Sequence, residues 1–506
     1  MVNHGVSKAC KECKKRRKKC DATRPSCNRC LRSRRAFPGY EEDPGFVFRN
    51  YGVISSGSHR ASPVDSTQVP TEVPTEDSNC AATVSPSNLD DAELEALSVN
   101  TFFADFCVPS RDRLLSRGFL DGLEPLVDHA GSSSDISKAV RVVALAATGN
   151  RNGRSGLLVK AKHIYGDLLR SFQTSISNPE TANTAESLMV AVLLGLYEII
   201  ISNEGHPGHH TAHVRGVSAI LSSKNSPFDL LGGMQLFQLN NPILLKEPLK
   251  QAQDVGVLCA PIVNSRVQSL DSILLKFNPI FYRANDLLSG DSQISESAVR
   301  QVMEDALSLE TMFATWAASQ TLEWKPKTIG RSSRNSSAYG FCCPGRIDVY
   351  FDLYVAAVWN TYRKTHLLML DVVFRCKKWL GLDMASHTRE EREAYSLVEE
   401  IVASIPFHLS SDPTSCLTED TGEGTERLPG KPVGGLLLLH PLWVVTVSSV
   451  VSPKMQDSMR DCLAWIGRNM GIGQATLLSQ SDANLPFQYI AEGHVLMWAG
   501  MLIHPV

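Results

Sequence analysis

Several common features are missing from this 506-residue chain, and each absence narrows what it can be. The opening stretch, MVNHGVSKACKECKKRRKKC, contains no apolar core, so no secretory signal is expected and the chain is read as belonging to a reducing compartment. No apolar run reaches the ~20 residues that a membrane-spanning helix needs. LMVAVLLGLYEIII (188–201) is too short, and LLLLHPLWVVTVSSVV is interrupted by His440-Pro441 and carries several hydroxyls, so both are expected to be buried core helices with no membrane partner. G-x-S-x-G, a glycine loop able to cradle phosphate, and H-E-x-x-H are all absent, which leaves hydrolytic and nucleotide-driven chemistry without a home. Nor is there a series of alternating apolar and polar residues, so strands are not expected and the main body is read as all-α.

The distribution of charge is more informative than its total. A formal net charge of -3 conceals a head, residues 1–40, with thirteen Lys and Arg against Glu12 and Asp21. That head carries +11 and the remainder -14. A basic head on an acidic body points to a nucleic-acid contact. With 43% hydrophobic residues the chain has ample material for a large core.

Cysteine is concentrated in the same head. Cys10, Cys13, Cys20, Cys27 and Cys30 follow the spacing C-x2-C-x6-C-x6-C-x2-C, and the rhythm then stops at RRAFPGY. In a reducing compartment paired CxxC units read as metal ligands before disulfides. Thiolate is the soft ligand zinc prefers, and a CxxC turn brings two sulfurs to one metal. Five thiolates supply one tetrahedral site with one sulfur left over, or two sites that share sulfurs. The eight remaining cysteines read as ordinary buried thiols.

With KKRRKK between Cys13 and Cys20, then Asp21, the turn proline Pro25 in RPSC, and LRSRRAFPGYEEDPGFVFRN after Cys30, the head resembles the fungal binuclear zinc cluster transcription factors. In that family six cysteines hold two zincs. On its pattern Phe37 stands at the sixth cysteine's position. The resemblance implies a first zinc held by Cys10, Cys13, Cys20 and Cys27, and a second, weakened one held by Cys10, Cys27 and Cys30. Water or His4 is available to complete the second, and a single zinc is the alternative. It also implies that KKRRKK is a short recognition helix in the major groove. There Arg16 and Arg17 would read guanine through their planar forks, and Lys14, Lys15, Lys19, Arg29 and Arg32 would hold phosphates. Lys18 departs from the pattern, since an apolar residue commonly follows the base-reading pair.

Residues 51–91 follow, rich in Ser, Thr, Pro and acidic residues, too poor in large apolar groups to offset their ordering entropy, and therefore expected to be a disordered linker. No heptad pattern appears there, so a homodimer is left open. From 92 to 506 the pattern turns helical. In LLVKAKHIYGDLLRSFQTSI the apolar positions 157, 158, 161, 164, 165, 168, 169, 172 and 176 recur at a helical period and define one buried face. LMVAVLLGLYEIII, preceded by Asn183 and Glu186 at capping-box spacing, is apolar nearly all round and belongs in a core. FDLYVAAVWNTYRKTHLLMLDVVF reads as another long helix. HPGHHTAHVRG offers His209 and His213 one helical turn apart, a metal-binding spacing. The simpler reading is a helix-entry loop with one packed histidine, His213.

The segments HVRGVSAIL, DVYFDLYVAAVWNTYR and AEGHVLMWAGML make this body similar to the fungal-specific transcription factor regulatory domain. The fold class expected is thus mainly α: a zinc-cluster head over 1–50, a linker over 51–91, and an all-helical regulatory domain over 92–506. Together the two resemblances imply a nuclear, zinc-dependent regulator of transcription by RNA polymerase II rather than an enzyme. Its partners would be double-stranded DNA with CGG-like triplets and the transcription machinery, and its targets the genes of a metabolic or specialised-metabolite cluster. The rival reading is an interaction protein whose degenerate cluster no longer binds DNA and which titrates partners.

Overall fold

The protein is described as a computed structural model. It describes Cys13, Lys15, Cys30, Arg32 and Ser33 of the head, then residues 90–112, 115–203, 205–221, 270–289, 295–332, 345–382, 388–417, 429–480 and 487–501. By contacts the chain divides into two units, Met1–Cys80 and Ala81–Val506, each taken here by itself.

Local chemistry starts the helices of the larger unit. The first, α1 (Asp91–Phe106), opens on a complete capping box: Asp90 accepts from the Glu93 N–H at 2.7 Å while the Glu93 carboxylate accepts from the Asp90 N–H at 3.1 Å. Helices α2 (Leu123–Ala130) and α3 (Asp135–Arg151) follow, and α4 (Ser155–Ser177) buries Leu157, Ala161, Leu168 and Phe172, a stripe at the period read from the sequence. After a single turn at Pro179–Ala182 comes α5 (Ala185–Ile201), in which every residue from Ser187 to Ile200 is buried. Its cap is Thr184, which accepts from the Ser187 N–H, and not Asn183; the helix starts one residue later than the Asn183/Glu186 spacing suggests.

Helix α6 (His210–Leu221) packs on α5, as do α3 and α4, so α5 is the axis of the first half. The second half has its own axis. Helices α7 (Leu270–Ser289) and α8 (Glu296–Ser319) lead to α9 (Leu353–Trp379), which is buried without a break from Tyr354 to Val373. Around α9 pack α7, α8, α10 (Thr388–Leu409) and α11 (Pro432–Val447). Helices α12 (Pro453–Met470), α13 (Gly473–Leu478) and α14 (Phe487–Ala499) close the chain, and one continuous apolar core runs through both halves. Among the described residues no helix is long and apolar enough to cross a membrane.

The body is largely helical, as expected, with one two-stranded addition among the described residues: β1 (Lys327–Ser332) and β2 (Gly345–Val349) pair antiparallel, with an irregularity between Thr328 and Gly330, and β2 lies against α10. The strands are too short, and KTIGRS too polar, to leave an alternating signature. LLLLHPLWVVTV is the buried core helix expected, and it runs across Pro441. α11 continues through it, losing one N–H donor, because Pro432 to Thr446 are buried on every side and apolar packing outweighs one absent hydrogen bond. At the start of α11, Gly434 lets the helix approach the end of α10 so closely that a Cβ there would collide with the His408 carbonyl.

Candidate metal centre and nucleic-acid interface

In the head Cys13 and Lys15 are helical, as are Cys30 and Arg32. Cys13 and Cys30 are 4% and 2% exposed, whereas Lys15 and Arg32 are open to solvent. Each short helical segment thus turns sulfur inward and a cation outward within two residues. The two sulfurs stand 3.8 Å apart. A disulfide would require about 2.05 Å. With zinc–sulfur bonds near 2.3 Å, neighbouring thiolates on one tetrahedral zinc lie about 3.8 Å apart. The residues present therefore fit zinc. The metal would supply a cross-link between the two segments, and the thiolates of Cys13 and Cys30 would be among its ligands. The resemblance assigns these two sulfurs to different zincs, yet their separation equals that of neighbours on a single one. Cys10, Cys20, Cys27, Phe37, Lys14, Arg16, Arg17, Lys19 and Arg29 lie outside the described residues.

The histidine segment of the body resolves into a hydrogen-bonded core feature. Glu198, 3% exposed on α5, accepts from the Tyr165 hydroxyl at 2.6 Å and from the His209 backbone N–H at 2.9 Å. Burial and the Glu198 carboxylate beside it push the Tyr165 phenol up, so it keeps its proton and donates. The same oxygen then accepts from His213 Nε2 at 3.0 Å. That hydrogen bond fixes the tautomer and withdraws Nε2 from metal binding. His213 is the packed histidine the sequence suggested. Cys342 and Cys343 lie outside the described residues.

This arrangement yields a stability prediction. Tyr165→Phe removes the hydroxyl that donates to Glu198 while keeping the ring stacked on Tyr197, 4.4 Å between centroids. The cost should be about 1–3 kcal/mol in urea unfolding at neutral pH. An unchanged midpoint would mean that another donor replaces the phenol.

A basic, cysteine-paired head whose sulfurs are set for zinc, joined to a large helical body, defines a class. The fungal Zn(2)-Cys(6) binuclear cluster domain matches residues 8–37. The chain is 37% identical over 423 residues to transcription factor dbaG of Emericella nidulans, an alignment spanning 83% of this chain and 99% of that protein. No solved structure matches it. The chain belongs to the fungal Zn(2)-Cys(6) transcription factors, a family of DNA-binding transcriptional regulators and not of enzymes.

Proposed function

We propose that this regulator acts in the nucleus on genes transcribed by RNA polymerase II, reading CGG-like triplets with Arg16 and Arg17 and holding phosphates with Lys14, Lys15, Lys19, Arg29 and Arg32. The observation that carries the reading is the pairing of an inward sulfur with an outward cation, Cys13 with Lys15 and Cys30 with Arg32, at a sulfur separation of 3.8 Å. A zinc-tied scaffold that turns its basic side to solvent is what a phosphate backbone requires. Cys10, Cys13, Cys20, Cys27 and Cys30 are the ligands on this reading, with Phe37 at the sixth position. In support, the family match ends at residue 37 itself. The organisation proposed is a head over 1–50, a linker over 51–91, and a regulatory domain over 92–506 that addresses the transcription machinery. The targets are genes of one metabolic or specialised-metabolite cluster, to be checked by mapping binding sites across the genome.

Arg17→Ala tests the base reading. A guanine lost from a bidentate Arg contact costs roughly 1–3 kcal/mol of discrimination. Binding to a CGG-containing duplex should weaken by that amount while binding to an unrelated duplex stays nearly constant. Equal losses on both would make Arg17 a phosphate contact. No preference for any duplex in the unsubstituted protein would favour the rival, a degenerate cluster that titrates partners.

A further inference from the structure

Far from the head along the chain, three helices of the body bring together a set of side chains that no sequence motif announces. Glu310 on α8, His366 on α9 and Glu393 on α10 each offer one ligand atom, and these atoms lie within 4.8 Å of one another. Glu310 is 4% exposed and His366 7%, so neither is a surface charge that happens to have neighbours. His366 packs between the rings of Phe313 and Tyr362, with centroids 5.8 and 5.7 Å away. Nevertheless neither of its ring nitrogens makes a hydrogen bond, and Glu310 Oε2 makes none either. Buried polar atoms are nearly always satisfied, and leaving them unsatisfied is costly. Here three such atoms occur on two side chains of one cluster, and His366 Nε2 sits 4.0 Å from Glu310 Oε1.

We infer that Glu310, His366 and Glu393 form a zinc site in the helical body, separate from the thiolate cluster of the head. Two carboxylates and one imidazole are oxygen and nitrogen ligands suited to a borderline divalent ion, and a water completes four-coordination. With bonds of about 2.0–2.2 Å, donors on a tetrahedral zinc are about 3.4 Å apart. The 4.0 Å between His366 Nε2 and Glu310 must therefore close by only about half an ångström.

Without metal, the positive charge at the cluster comes from Arg389. Arg389 donates to Glu310 Oε1 at 2.6 Å and to the Glu393 carboxylate at 3.1 Å, so its guanidinium supplies the positive charge that zinc would supply. Its side chain is 56% exposed and can swing into solvent. Arg389 is therefore a competitor of the metal and not a ligand, which sets the sign of one experiment against that of the others.

The test uses the full chain with its head loaded with zinc. Zinc per chain is counted by elemental analysis after equilibration at buffered free zinc, for the unsubstituted protein, Glu310→Gln, His366→Gln and Arg389→Gln. The unsubstituted protein should hold one zinc more than Glu310→Gln or His366→Gln. Arg389→Gln should take up that extra zinc at about tenfold lower free zinc. Cobalt(II) entering the body site should add visible absorption without the near-ultraviolet thiolate band that the head gives. Thermal melting in the absence of added zinc reports whether the Gln variants fold. Should either variant fail to fold, the exposed Arg389→Gln decides alone, because a purely structural ion pair predicts no gain in zinc affinity on its removal. Equal zinc counts in folded variants, or no tighter uptake by Arg389→Gln, would overturn the assignment.

Discussion

Zinc chelation will abolish specific DNA binding by this protein, and the loss will follow the metal that leaves the head. A structural zinc in a small finger contributes on the order of 10–16 kcal/mol of folding free energy. The head is rich in charge, with thirteen Lys and Arg in residues 1–40, and a contribution of that size would exceed what burial of its few apolar residues supplies. On the proposed reading, with Phe37 at the sixth position, the two zincs should leave unevenly, the one with three sulfurs first. Phe37→Cys should abolish that inequality and tighten DNA binding. A chelator titration on the full chain, with zinc counted and affinity for a CGG-containing duplex followed alongside, checks both statements. DNA binding that survives complete zinc removal would sink the first. Two zincs released together, with no gain in Phe37→Cys, would sink the second.

Mild acid should destabilise the helical body by an amount comparable to the whole stability of an ordinary domain. Burial, with His210 and His209 nearby, holds His213 down to about 3, and burial together with Arg363 does the same to His408. Burial next to Lys364 keeps His440 and His494 well below the usual imidazole value. In the unfolded chain all four take up protons below about pH 6.5, whereas in the folded state His213 and His408 do not until about 3 and burial holds His440 and His494 well below the ordinary imidazole value. Unfolding therefore binds protons across this window, and stability present above pH 6.5 is lost as the pH falls. At pH 5.5 each histidine costs about 1.4 kcal/mol, so four cost up to about 6 kcal/mol, against a typical 5–15 for a domain. Asp105, Asp352 and Glu393, whose carboxyls burial raises, act in the opposite sense. Urea midpoints at pH 7.0 and 5.5 give the answer, and His408→Gln should flatten its share of the slope. A midpoint independent of pH would mean that these imidazoles accept protons without unfolding.

What the sequence reveals and what it hides differ for a physical reason. α4 and α5 are legible because their burial is apolar: a stripe in one, a full circumference in the other. The interior of α9 is not. Asn360, Arg363, Lys364, His366 and Asp371 would each be assigned to a solvated face, and all are buried. Two of them are held by partners far along the chain: Arg363 donates to Glu400 at 2.9 Å, and Asp371 accepts from the Ser449 N–H at 2.7 Å. Hydrogen bonds of this kind follow no period, so periodicity cannot announce them. The cluster of Glu310, His366 and Glu393 is hidden in the same way, since its members come from three helices with nothing shared in spacing. In the head the reverse holds. Metal ligation demands cysteine at fixed intervals, so C-x2-C repeated across a basic run is readable before any coordinates exist.

The burial of α11 on every side has a further consequence. A rod that is equally oily all round can turn about its long axis without exposing anything, so burial by itself selects no angle. Shape has to select it. Gly434 seats the rod against the His408 carbonyl, and Gly435 leaves room only for Met470 and Ile466. These two notches act as an index mark. Enlarging either would leave the oily surface covered yet set the helix at a different angle, and would degrade the uniqueness of the fold before its free energy.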